Sequence, residues 1–226
     1  MASSQRPRRQ RRDRRARQAG QSLVEFSLVI PLFLVVLMAV IEFSFLMNGQ
    51  LSINFATRDG ALIAAEAGNA GLDAQGDDLA DCVILQKIQQ DVTAPANTSN
   101  ITQVQIYWTN ATGQPLDTSG SVTTFGNASQ AVDTYVPGST TCTFPDSTTI
   151  TVPYTETTAN YPSSIRCNAI LGTAAGCVTG HSGLDTIGVQ VTYSDTWRTP
   201  LHDLIGLLGN GWTLVQSNQM RMEPVL

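Results

Sequence analysis

The chain has 226 residues and a formal net charge of −5 at pH 7. After the basic start and the apolar run that follows it, about 180 residues remain, enough for one domain with a hydrophobic core. The four cysteines form no C-x-x-C pair and the two histidines are isolated, which argues against a metal centre.

The charge is divided between two regions. Residues 1–20 hold eight arginines and one acid, Asp13, whereas the rest of the chain is acidic. The arginine run is open to a nucleic-acid-binding interpretation. We favour a role in membrane topology, because positive residues that adjoin an apolar span stay in the cytoplasm. We therefore expect no nucleic-acid partner, a cytoplasmic N-terminus and an extracytoplasmic remainder.

An apolar run occupies residues 26–47. Its 22 residues include one charged side chain, Glu42. As a helix the run would be about 33 Å long, enough to cross a hydrocarbon core of about 30 Å. The pattern predicts a single-pass membrane protein with its span at about residues 26–47.

The helix that contains this span is predicted to extend over residues 21–68. Residues 1–20 form a basic cytoplasmic leader without apolar periodicity, and we expect them to be disordered. Beyond the span, alanines and spaced apolar residues continue the helical pattern to about Ala67, and the helix is ended by Gly68, Asn69 and Gly71. Pro31 removes a backbone hydrogen bond and predicts a kink, which membrane helices tolerate.

A second helix is predicted from Asp77 to about Val92. Acids suit a first helical turn, and the predicted apolar face consists of Leu79, Val83, Leu85 and Ile88. A calcium site is disfavoured, because the candidate ligands lack the alternating spacing of a calcium-binding loop; they are Asp73, Asp77, Asp78 and Asp81. We expect no cofactor and no metal.

Alternation of apolar and polar residues predicts strands at 101–109, 185–197 and 212–223. Shorter strands are predicted near 131–136 and 149–154, within Ser/Thr-rich loops that occupy about residues 110–185. A short helix is predicted from Thr199, with its apolar side formed by Leu201, Leu204, Ile205 and Leu208.

These elements predict an α+β fold. One long N-terminal transmembrane helix continues into a small extracytoplasmic domain of residues 69–226. In this domain an antiparallel sheet of at least three strands packs on the outer half of the long helix and on the second helix.

All four cysteines follow the span; they are Cys82, Cys142, Cys167 and Cys177. An even number of cysteines in an exported domain predicts disulfides. Four cysteines allow three pairings, and the sequence does not choose among them.

No catalytic constellation is present in the sequence. It contains no G-x-S-x-G, no H-E-x-x-H and no phosphate-binding glycine loop. We therefore do not expect an enzyme.

Two acids near the membrane are more informative. Glu42 is either a functional group within the span or a side chain at the outer boundary, where a charge costs little. Glu25 lies at the start of the apolar helix. If the chain is cut after Gly20, the new amino group of Gln21 could pair with Glu25 of a neighbouring subunit. A low-dielectric helix bundle would strongly penalise either charge alone.

The N-terminal region resembles that of the TadE-like family of pilus proteins. The resemblance covers about residues 15–65, and its motifs are the basic leader ending at Gly20, Gln21-Ser22-Leu23-Val24-Glu25-Phe26, Pro31 and Ile41-Glu42-Phe43. The segment Met220-Arg221-Met222-Glu223-Pro224 is also similar to the usual C-terminal segment of that family.

This resemblance implies a minor pilin or pseudopilin of the Tad (Flp-type) pilus, which serves surface adherence. It also implies cleavage between Gly20 and Gln21 by a prepilin peptidase, with Glu25 and Phe26 acting in assembly. The implied partners are the membrane, the peptidase, and other pilins or Tad assembly proteins. Gln21 departs from the bulky apolar residue that is common after the cut in other type IV pilins.

The sequence is open to three alternatives. A membrane-anchored ectodomain that binds a surface or a protein partner would keep its leader. Release by a signal peptidase is disfavoured, because the first small-residue sites, near residues 64–67, lie too far beyond the apolar core. A nucleic-acid-binding protein would use the arginines, and its binding would depend on salt.

Overall fold

The computed structural model describes residues 8–67, 70–168, 183–200, 203, 209 and 211–223, with side chains from Gln21 onwards. The chain divides into two compact units. The smaller unit contains Met1–Ser44 and Trp197–Gly209, and the larger contains Phe45–Thr196 and Asn210–Leu226.

Helix α1 spans Arg8–Ala67 as one element. Its end at Ala67 confirms the predicted C-terminal limit. Its start at Arg8 shows that the prediction of disorder for residues 1–20 is wrong for the backbone of residues 8–20. Arginine and alanine are strong helix formers, and extending an existing helix is far easier than nucleating one. Pro31 lies inside the helix, and the kink there remains a prediction.

The larger unit contains one five-stranded antiparallel sheet in the order β3-β2-β1-β4-β5. Its strands are β1 (Ile101–Thr109), β2 (Val132–Thr143), β3 (Thr149–Ala159), β4 (Thr186–Thr196) and β5 (Gly211–Arg221). The sheet confirms the predicted α+β class. The sheet has five strands, whereas the sequence predicted at least three.

Strands β2 and β3 form a hairpin that is longer than predicted. Threonines are frequent in the parts of both strands next to the connecting turn, and these parts show little alternation of apolar and polar residues. They pair instead through polar contacts, such as the 2.9 Å hydrogen bond between the hydroxyls of Thr141 and Thr151. Cross-strand threonine pairs stabilise a sheet without burying apolar surface, so the alternation pattern misses them.

Helix α2 spans Leu79–Asp91, and Asp78 caps its N-terminus. The Asp78 Oδ1 atom accepts the backbone N–H groups of Ala80, at 3.0 Å, and Asp81, at 3.2 Å. Three positions of the predicted apolar face, Leu79, Leu85 and Ile88, are buried, and Val83 is half-buried. Asp81 and Cys82, which were not predicted to face inwards, are buried as well. Both have partners inside the domain, so hydrophobic periodicity alone does not identify them as buried.

The outer part of α1 packs against α2 and the sheet, as predicted. At Gly60, an added Cβ would lie 3.1 Å from Ile88 Cγ1 of α2 and 3.4 Å from Val189 Cγ1 of β4. The three elements therefore meet where α1 lacks a side chain. The core also takes in Ile53, Ala56 and Ala64 of α1 and Val104, Ile106, Ile187, Val191 and Tyr193 of the sheet.

Strand β5 presents Leu214 and Met220 to this core, and Met222 just beyond the strand is buried, as the alternation predicted. The helix predicted from Thr199 falls largely outside the described residues, including its apolar positions Leu201, Leu204, Ile205 and Leu208.

Candidate anchoring and assembly site

The part of the chain that the structure describes contains one helix long and apolar enough to cross a membrane. It is the Gln21–Ala67 part of α1, whose most apolar window has a mean hydropathy of 2.7 and no buried residue. Phe26, Leu32 and Phe33 are each at least 60% exposed. Apolar side chains without protein neighbours are suited to contact with lipid or with other helices.

The N-terminal edge of this segment holds the predicted processing and assembly residues. Gly20 and Gln21 lie inside α1. The Gln21 Nε2 amide donates to Glu25 Oε1 at 3.0 Å, one helical turn away, and both side chains are exposed. The structure thus brings Gln21 and Glu25 together within one chain. The pairing of an amino group with Glu25 of a neighbouring subunit involves a second chain and remains a prediction.

Glu42 is buried in the smaller unit, with 3% of its surface exposed. Its Oε1 atom accepts the backbone N–H of Thr199, and its Oε2 atom has no hydrogen-bond partner among the described residues. The chain itself therefore satisfies one carboxylate oxygen of Glu42, and the position of this residue relative to the outer membrane boundary remains a prediction. The partner is 157 positions away in the sequence, so no local pattern could identify it.

Disulfides cross-link the larger unit. Cys82 of α2 is bonded to Cys142 of β2, across a sequence separation of 60. Cys167 is also disulfide-bonded, whereas Cys177 lies outside the described residues. These findings confirm the prediction of disulfides, and one pairing is now assigned.

A buried ion cluster was missed by the sequence analysis. The Arg166 side chain is fully buried, with Nη1 2.7 Å from Asp81 Oδ1 and Nη2 3.0 Å from Asp133 Oδ2. Its Nε donates to the carbonyl oxygen of Tyr161 at 3.1 Å, and its Cζ lies 5.0 Å from the centroid of the Tyr161 ring. The arginine therefore joins α2, β2 and the segment after β3.

Polar groups at the edge of this cluster donate further hydrogen bonds to its carboxylates. The Tyr135 hydroxyl donates to Asp81 Oδ2 at 2.8 Å, and the backbone N–H of Ser163 donates to Asp78 Oδ2 at 2.6 Å. Burial raises the pKa of Asp81, and burial together with the charge of Asp81 raises the pKa of Asp133 to about 8. More than one carboxyl shares a single guanidinium, which favours retention of a proton in the cluster.

The cluster resembles a cation site in its spacing. Carboxylate oxygens of Asp78, Asp81 and Asp133 lie within 4.8 Å of one another. The guanidinium of Arg166 already supplies positive charge there, so the arrangement is that of a structural ion cluster.

The four acids considered above as calcium ligands do not converge on Asp73. The Oδ1 atom of Asp73 accepts the N–H groups of Gln75, at 2.8 Å, and Asp77, at 2.9 Å, within its own turn. Its Oδ2 atom accepts the N–H of Thr143 at 3.0 Å. These backbone contacts occupy the carboxylate of Asp73, whereas Asp81 faces Arg166.

A single candidate span, an exposed apolar N-terminal helix and a disulfide-bonded α+β domain are the features of a protein with a single-pass membrane anchor. Residues 20–62 match the model of the TadE-like protein family, which confirms the resemblance seen in the sequence. The match implies a Tad pilus-associated protein. It ends within α1, so the α+β domain lies outside it. No match was found among curated proteins or among solved structures.

Proposed function

We propose that this chain is a TadE-like minor pilin or pseudopilin that takes part in assembling a Tad pilus for surface adherence. The observation that carries the proposal is the family match at residues 20–62. The match begins at Gly20, the residue before the proposed cut, and includes Glu25 and the whole apolar run. The role is structural and requires no catalytic group and no cofactor.

Processing starts from a precursor inserted with its arginines in the cytoplasm. A prepilin peptidase cuts between Gly20 and Gln21 and removes all eight arginines of the leader. Without this step, each subunit would bring a cluster of like charges to the surface where helices pack, and like charges in such contacts are destabilising. Cleavage therefore converts a membrane anchor into a helix that is able to associate laterally.

Glu25 would then act between subunits. Cleavage creates an α-amino group at Gln21, and the Glu25 carboxylate of a neighbouring subunit neutralises it. In the single chain, the exposed Glu25 carboxylate accepts a hydrogen bond from the neutral side chain of Gln21. An ion pair buried in an apolar bundle fixes register, because each charge is costly without the other.

A static anchored ectodomain, with its leader retained, is the second candidate function. One observation favours it, because α1 runs without interruption from Arg8 through Gly20 and Gln21. A helical backbone offers no extended segment around the proposed cut. In this case the outer domain would bind a surface or a protein partner, and no pilus defect would follow from changes at Glu25.

Substitution of Glu25 distinguishes the pilus-assembly role from the static anchored ectodomain. Glu25→Ala should leave membrane insertion and leader cleavage unchanged while strongly reducing the number of pili seen by electron microscopy. Glu223→Ala, which removes an exposed acid from the larger unit, is the matched control and should leave piliation normal. Normal piliation in Glu25→Ala would contradict the proposed role.

A further inference from the structure

One face of α1 remains uncovered beyond the membrane span, in the larger unit. Ile53, Ala56 and Ala64 are fully buried against the domain, whereas Leu51, Phe55 and Leu62 are 59%, 56% and 40% exposed. The exposed residues follow one another at spacings of four and seven, which places them on a single helical face. Large apolar side chains in a row on a folded surface indicate an interaction site.

Two opposite charges lie on the same face. Arg58 falls between Phe55 and Leu62, and Glu66 lies one turn beyond Leu62; both charged residues are exposed. We call these five residues the outer stripe: Leu51, Phe55, Arg58, Leu62 and Glu66. Within the described chain neither Arg58 nor Glu66 forms an ion pair, whereas the neighbouring Asp59 lies 3.5 Å from the Nζ atom of Lys87.

We propose that the outer stripe binds the outer stripe of a second copy of this chain, in a parallel and axially displaced arrangement. Arg58 of one copy pairs with Glu66 of the next. The inference rests on the proposed function and adds to it the partner and the register of the contact.

The charge pattern selects this arrangement. Two anchored copies are parallel because both helices insert in the same direction. Without displacement Arg58 would face Arg58, and like charges in an interface are unfavourable. A displacement of eight residues, about 12 Å along the helix axis, places Arg58 beside Glu66. The same displacement brings Phe55 level with position 63, one residue or about 1.5 Å along the axis from Leu62, so these two apolar side chains lie near the charged pair.

The test uses full-length protein carrying two different tags, co-expressed and extracted from membranes in mild detergent. One tag is captured and the amount of the other is measured. Arg58→Glu and Glu66→Arg should each lower co-capture at least about tenfold. The double variant, Arg58→Glu with Glu66→Arg, should restore co-capture to within about twofold of the unmodified chain, because opposite charges meet again in the displaced register.

Arg221→Glu is the matched control, because Arg221 is an exposed arginine outside the stripe; it should leave co-capture unchanged. Unchanged co-capture in the single variants would overturn the proposal. Loss in the single variants without recovery in the double variant would also overturn it, and would identify a different helix as the partner. Leader cleavage and the Glu25→Ala piliation defect are measured in parallel. If these persist, the proposed function stands even when the self-association surface fails.

Discussion

Arg166 Nη1 lies 2.7 Å from Asp81 Oδ1, and both side chains are almost completely buried. Asp81 is in the first turn of α2, whereas Arg166 follows β3, so the contact joins elements that are far apart in the chain. Asp133 of β2 adds a second carboxylate on the same guanidinium. One side chain therefore fixes the relative positions of a helix and the β2–β3 hairpin.

Removal of Arg166 should be strongly destabilising. Arg166→Met would leave two buried carboxyls without their cation, and breaking a buried pair from one side costs about 3–5 kcal/mol. The measurement is the free energy of unfolding of the full-length protein in detergent, from denaturant titration followed by tryptophan fluorescence. Arg221→Met, at an exposed position, should stay within about 0.5 kcal/mol of the unmodified protein. A loss for Arg166→Met no larger than for this control would contradict the structural role of the cluster.

Stability should fall with rising pH because of Asp133. Burial and the nearby charge of Asp81 raise its pKa in the folded state to about 8, above the ordinary value of 3.8. The folded state thus holds a proton that the unfolded state loses first. This contribution to stability is complete below about pH 4 and is lost as the pH rises through about 8.

The corresponding measurement is the unfolding midpoint between about pH 5 and about pH 9. Asp133→Asn should reduce the dependence in this range, because the substituted side chain does not titrate, whereas Glu156, whose pKa burial raises to about 6, still does. Asp117 and Asp146 do not interfere, since hydrogen bonds lower the pKa of both below the ordinary value. An equal slope in the variant and the unmodified protein would show that Asp133 does not carry the effect.

The Cys82–Cys142 disulfide should contribute substantially to stability. It closes a sequence separation of 60 between α2 and β2. The double substitution Cys82→Ser and Cys142→Ser should lower the free energy of unfolding by about 2–5 kcal/mol, as expected for loss of a native disulfide. Substitution is preferable to reductant, because Cys167 is disulfide-bonded as well. An unchanged denaturation midpoint would rule out this contribution.

A side chain at position 188 should be destabilising. In the β1–β4 pairing Gly188 lies opposite Tyr107, and an added Cβ would come within 2.3 Å of the Tyr107 Cζ atom. The Tyr107 ring is itself held by an edge contact with Phe125 at 4.9 Å. Gly188→Ala should therefore cost about 1–3 kcal/mol through displacement of the ring.

Gly209→Ala provides the comparison, because an added Cβ there meets no atom within 4 Å. Thermal unfolding of the two variants is the measurement. Equal midpoints would show that the ring moves aside without cost.

The regular elements were predictable where local pattern decides structure. Strands β1, β4 and β5 alternate apolar and polar residues, and their limits fall within one or two residues of the prediction. The end of α1 at Ala67 precedes the glycines that were expected to stop it. In these segments the buried face repeats at the period of the element itself.

Contacts between distant residues were not predictable in the same way. The partners Glu42 and Thr199, and Arg166 with Asp81, are brought together only by the complete fold. Single charged residues carry no periodic signal, and the sequence offers many possible partners for each. One indication was available, because Asp81 falls among the apolar positions of a helix, where an unpaired charge would be costly.

The proposed function depends on processing of the chain as a prepilin. It is tested most directly by the N-terminus of the protein extracted from membranes, determined from its intact mass and from sequencing of the terminal peptide. We expect a mature chain that starts at Gln21 and lacks the arginine leader. A chain that starts at Met1, or that retains the leader arginines, would contradict processing and favour the static anchored ectodomain.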